Sequence, residues 1–92
     1  MAKQLNIVGI VQGIGYRAAF HDEAMALGLS GWVRNRRDGS VEATVCGDAQ
    51  AVKAIIDWAW RGPAGAKVSQ VTVSEVDDAS VTQGQFEIWP TR

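Results

Sequence analysis

Two helix-length segments and one tight hairpin punctuate this sequence in an order that leaves few folds open. Gln4 to Ile10 is apolar and β-branched and reads as a buried strand. Val11 to Tyr16 carries two glycines and reads as a loop. Arg17 to Leu27 places Phe20, Ala24 and Leu27 at helical spacing, with Gly28 as a stop. Gly31 to Arg36 and Ser40 to Gly47 read as strands joined through Arg37-Asp38-Gly39, where Asp-Gly suits a tight turn. Asp48 is placed to cap a second helix with Val52, Ile55, Ile56 and Ala59 in one stripe, ended by Gly62-Pro63. Lys67 to Val76 and the short Gln85 to Trp89 complete the set.

The order β-α-β-β-α-β plus a terminal strand predicts an α+β fold. It is a ferredoxin-like split β-α-β sandwich, a mostly antiparallel sheet with two helices on one face. The pattern leaves the position of the fifth strand open. Residues 1–92 suit a single domain. A hydrophobic fraction of 47% supports a packed core and excludes a disordered chain.

No run approaches the roughly 18 apolar residues of a membrane helix, and the N-terminal residues do not read as a signal peptide. The single cysteine, Cys46, excludes an internal disulfide framework and a multi-cysteine metal site. A cytoplasmic location and no membrane partner are therefore expected. The net charge of −1 argues against bulk nucleic-acid binding. Charge is nevertheless uneven: Met1 to Arg37 carries +3 and the remainder −4. A local basic region on an acidic chain suits a small anion better than a polyanion.

The loop after the first strand is the natural place for that anion. Gly13 and Gly15 permit unusual backbone angles and close approach to a ligand. Successive N–H groups there can form an anion nest that runs into a helix start. Arg17 stands at the junction, and its guanidinium can grip two phosphate oxygens. The loop lacks the lysine and hydroxyl residue of a Walker A loop and the third glycine of a dinucleotide fingerprint. Taken alone, a phosphate cradle and a plain glycine turn with a surface arginine stand level.

Topology adds a second residue. In a split β-α-β unit the first two strands run parallel with one strand between them, about 10 Å apart. Asn35, at the end of the second strand, then lies beside the glycine loop. It shares parity with Val33 and so points toward the side where the first helix begins. A carboxamide holds a water well but is a poor base. It suits a reaction that needs orientation more than deprotonation, such as displacement of a carboxylate from phosphorus.

At these residues the chain resembles the acylphosphatase family. Val11-Gln12-Gly13-Ile14-Gly15-Tyr16-Arg17 is similar to the family's V-Q-G-V-G-F-R loop, with Ile14 and Tyr16 as conservative departures. Gly31-Trp32-Val33-Arg34-Asn35 is similar to its G-W-V-[RK]-N signature, and Asp38 to Glu42 to the hairpin that follows. The resemblance spans essentially the whole chain. It implies hydrolysis of small acyl phosphates to a carboxylate and inorganic phosphate, without metal or organic cofactor. It implies phosphate binding by Gln12, Gly13, Ile14, Gly15, Tyr16 and Arg17, with Arg17 and Asn35 catalytic. A monomer is expected.

Other residues invite plainer readings. Arg34, Arg36 and Arg37 read as a solvated hairpin that adds to the local field. His21 reads as a surface residue, Cys46 as core or edge filler and Trp32 as a packing residue. Trp58 falls off the apolar stripe of its helix and is expected to be partly exposed. Asp22 and Glu23 are expected in the first turn of the first helix, pointing away from the anion. A non-catalytic binding module on the same fold is the competing functional reading. An RNA-binding domain ranks below it, because the first and third strands offer no aromatic residues.

Overall fold

A computed structural model describes Met1–Arg92. Strands β1 (Ala2–Ile10), β2 (Ser30–Asn35), β3 (Val41–Cys46), β4 (Lys67–Val76) and β5 (Phe86–Ile88) form one sheet in the order β4-β1-β3-β2-β5. Helix α1 (Tyr16–Ala26) joins β1 to β2, and α2 (Ala49–Arg61) joins β3 to β4. All neighbours are antiparallel except β2 and β5. Two helices on a five-stranded mixed sheet confirm the predicted α+β architecture.

Strand alternation decides which face the helices cover. Leu5 and Ile7 of β1, Val33 of β2, and Val41, Ala43 and Val45 of β3 share one face and are fully buried. Phe20 and Ala24 of α1 meet them there, with Val52, Ile55 and Ala59 of α2. The α2 stripe has the predicted spacing, and Ile56 packs at its margin. Asp48 caps α2 by accepting a hydrogen bond from the Ala51 N–H at 2.8 Å. Trp58 is half-buried and joins an aromatic cluster, its ring centroid 5.5 Å from Tyr16 and 5.8 Å from Phe20. It is partly exposed as expected, and its buried side is covered by α1, which lies against the flank of α2.

The opposite face of the sheet is polar but well ordered. Trp32 of β2 stacks on Trp89, with ring centroids 4.2 Å apart, and the Arg34 guanidinium lies over both rings. Glu42 on β3 accepts from Arg34 Nε at 2.8 Å, Arg36 at 3.2 Å and Gln4 Nε2 at 2.7 Å. Arg34 is therefore a largely buried ion-pair partner, which corrects the picture of a solvated hairpin. Arg37 is exposed as expected.

The fifth strand lies parallel to β2, with Gly31 opposite Phe86 and Val33 opposite Ile88. The chain reaches that edge from β4 through residues 77–85. This segment passes the end of the sheet where Gly84 N–H donates to Ser30 Oγ and the Gln83 amide approaches Cys46 Sγ. Beyond β5 the main chain continues beside β2: Trp89 N–H donates to Val33 O, and Arg92 N–H to Asn35 O. No helix is long and apolar enough to cross a membrane.

Candidate active site

The sheet order places β3 between β1 and β2, as the split β-α-β reading requires. The C-terminal ends of β1 and β2 consequently share one edge of the sheet. At that edge lies a concave site of about 280 Å³ lined by Val11, Gln12, Gly13, Gly15, Tyr16, Arg17, Ala18 and Asn35. It is the one pocket in the molecule. The structure thus brings together Arg17, Asn35 and most of the loop residues singled out from the sequence.

The register of β1 shifts between Val8 and Gly9, a bulge that re-aims the strand just before the loop. Gly13 and Gly15 then take φ of 78° and 82°, in the left-handed region. A Cβ at either position would meet no atom within 4 Å, so the backbone angle, not crowding, selects glycine. Gly15 is the N-cap of α1 and has no side chain to satisfy the first turn. The first helical bond is Ala19 N–H to Gly15 O, which leaves the N–H groups of Tyr16, Arg17 and Ala18 without main-chain acceptors. These donors, the helix dipole and Arg17 converge on the cavity. Arg17 has no carboxylate within ion-pair distance and makes no side-chain hydrogen bond (unlike Arg34 and Arg36).

Asn35 faces the same cavity from β2. Its Oδ1 is buried without a hydrogen-bond partner, and no other buried side-chain polar atom is left so. Such an orphan is costly in a folded interior, and it belongs to the one residue of β2 that lines the cavity.

The remaining loop side chains serve the scaffold. The Gln12 amide is committed to the neighbouring hairpin, donating to Arg36 O at 2.7 Å and Ser40 O at 2.8 Å. Ile14 does not line the cavity and packs against the core. Only its main chain remains available for the role implied by resemblance. Tyr16 is buried, and its hydroxyl donates to Ala59 O at 2.7 Å. That carbonyl is among the last four of α2, which lack helical partners. Burial pushes the phenol pKa well up, so Tyr16 is a poor source of a phenolate. Replacing it in Tyr16→Phe should leave turnover unchanged and lower stability by about 1–2 kcal/mol, read as a reduced Tm. A matching loss of turnover would assign the hydroxyl a chemical role instead.

Two lining residues escaped the sequence reading. Val11, the first residue after β1, is buried at the start of the loop. Ala18 carries no chemical label, but it is the third residue of α1, and counting orphan N–H groups from the glycine would have found it. Asp22 and Glu23 lie beyond the first turn, because α1 begins at Tyr16. Asp22 pairs with His21 at 3.1 Å.

Comparison with known proteins agrees with this geometry. The family model described as acylphosphatase matches residues 3–88. An acylphosphatase of Azoarcus sp. strain BH72 is 55% identical over 91 residues, covering 98% of this chain and 90% of the relative. One from Mesorhizobium japonicum is 53% identical over 87 residues, covering 95% and 92%. The solved structure of an acylphosphatase from Coxiella burnetii superposes with a TM-score of 0.88 at 31% identity, covering 96% of this chain and 90% of that one. With a family model spanning nearly its full length and relatives above half identity, this chain belongs to the acylphosphatase family and is an enzyme of that kind.

Proposed function

We propose that the chain hydrolyses small acyl phosphates to a carboxylate and inorganic phosphate, with Arg17 and the loop N–H groups holding the phosphoryl group and Asn35 orienting water. The observation that carries this reading is the pairing of an unpartnered carboxamide oxygen with an uncommitted guanidinium across one cavity.

The roles follow from donor and acceptor chemistry. The three non-bridging phosphoryl oxygens need donors, and the first turn of α1 with Arg17 supplies them. Water needs an acceptor that leaves a lone pair directed at phosphorus, and Asn35 Oδ1 is such an acceptor. The new P–O bond forms from that water as the bond to the acyl oxygen breaks. The acyl oxygen leaves as a stable carboxylate and needs no proton from the protein. The amide cannot accept the water's proton, so the proton passes to an oxygen of the phosphate. Positioning and charge stabilisation account for the acceleration.

A cavity of this size supports a small substrate, and Arg17 is the only charged residue lining it. Recognition then rests on the phosphoryl group, with acetyl phosphate, carbamoyl phosphate and bisphosphoglycerate all compatible. All the proposed groups come from one chain, which supports action as a monomer. The buried free thiol of Cys46 suits a reducing cytoplasm.

The test is phosphate release from benzoyl phosphate by the purified protein in the presence of a chelator. Turnover under those conditions is expected. A folded protein that binds phosphate but releases none from benzoyl phosphate would instead be a sensing module on this fold.

A further inference from the structure

We propose that the side-chain amide of Gln12 is a positioning element of this site, fixing the phosphate loop against the strand end that carries Asn35. The inference rests on the role given to Asn35 above. It departs from the resemblance, which implies only that Gln12 contributes to phosphate binding.

The backbone alone does not join these two halves. The ladder between β1 and β3 ends at the pair Ile7 and Val41. After the register shift at Val8 and Gly9, β1 continues only beside β4, with Gly9 opposite Val68 and Ile10 opposite Lys67. The glycine loop therefore begins beyond the last β1–β3 pair. Across that gap, the two bonds from Gln12 are the only hydrogen bonds between residues 11–15 and the hairpin of residues 35–41.

Their acceptors stand on both arms of the hairpin. Arg36 immediately follows Asn35, and Ser40 immediately precedes β3. Arg36 N–H already donates to Ser40 O at 2.8 Å, closing the hairpin, and Gln12 enters this pair from the side. Arg36 is further held through its guanidinium on Glu42, and Asn35 O receives the Arg92 N–H. The strand end is thus fixed within its own half of the site, and Gln12 fixes that half to the other. The chemistry selects an amide. Two N–H protons match two carbonyl oxygens, a carboxylate would repel both, and a side chain one methylene shorter would fall short. The main-chain N–H groups that face phosphate do not depend on this side chain. Removing it should therefore separate orientation of water from binding of phosphate.

The experiment compares wild type with Gln12→Met, which keeps length and lack of branching but removes both donors. For benzoyl phosphate at a temperature well below the melting transition, kcat should fall at least about tenfold, as small misplacements of reacting groups do. Competitive inhibition by inorganic phosphate should stay within about twofold, since uniform binding is retained. The Asn35 side-chain amide signal in a 15N-labelled sample should shift, while loop main-chain signals still respond to phosphate. An unchanged kcat overturns the proposal. So does a fall in kcat matched by an equal weakening of phosphate, which would make Gln12 part of the cradle. Should Gln12→Met fail to fold, Gln12→Asn, which retains the amide but shortens its reach, is read by the same criteria. An inactive wild type would instead overturn the hydrolytic reading itself, and an active Asn35→Ala the role of Asn35.

Discussion

Asn35→Ala should cut hydrolysis of benzoyl phosphate by about 10³ while leaving inhibition by inorganic phosphate nearly intact. The substitution removes the orphaned Oδ1 from the cavity and touches no donor on the opposite wall. Its structural cost should be small, because that oxygen has no partner to lose. The main-chain bond from Arg92 N–H to Asn35 O survives any side-chain change. Loss of a preorganised polar group costs about 10²–10³ in kcat, and the effect here should reach the upper end. Steady-state kinetics with a phosphate inhibition series separates the two quantities. Turnover within tenfold of wild type would mean that another group orients the water.

Arg17→Ala should reduce both terms together. Arg17 is the only charged residue lining the cavity, and no carboxylate in the fold competes for it. Its removal takes away a charge-assisted contact that strengthens as charge builds on the phosphoryl oxygens. The expected result is a fall in kcat/KM of about 10³ or more, with inhibition by inorganic phosphate largely lost. Arg17→Lys should recover part of the binding but little of the rate. A point charge replaces a planar fork that can hold two oxygens at once. Normal phosphate inhibition in Arg17→Ala would move the cradle elsewhere. The two substitutions therefore differ in kind, since Asn35→Ala spares binding and Arg17→Ala does not.

Periodicity made the strands and helices legible, because Val41, Ala43 and Val45 alternate and Val52, Ile55 and Ala59 repeat at helical spacing. The parity of Val33 and Asn35 alone places the carboxamide on the helix-covered side. The fifth strand was legible as a strand but its place in the sheet was not, since that place is fixed by bonds such as Gly31 N–H to Gln85 O. The positions of Gln12 and Arg34 were also hidden. Each is polar, and a polar side chain reads as exposed until its partner is known. Gln12 reaches across 24 and 28 residues to its acceptors, and Arg34 meets Glu42 only because β2 and β3 pair in that register. The partial exposure of Trp58 was legible from its place off the stripe, but its contacts with Tyr16 and Phe20 were not, because the stripe describes the sheet-facing side and not the neighbouring helix.

The sheet order carries a kinetic consequence. Only β2 and β3 are neighbours both in sequence and in space; β1 must find β3 and β4 across long intervening segments, and β5 must find β2. Such distant pairings make folding slow for a chain of this length, because loop closure is unfavourable before any contact offsets it. The β2–β3 hairpin can form early and presents Asn35, but it has no glycine loop beside it until β1 docks on the far side of β3. Regained hydrolysis therefore marks the completion of long-range strand pairing, and a species holding only the local hairpin is catalytically silent.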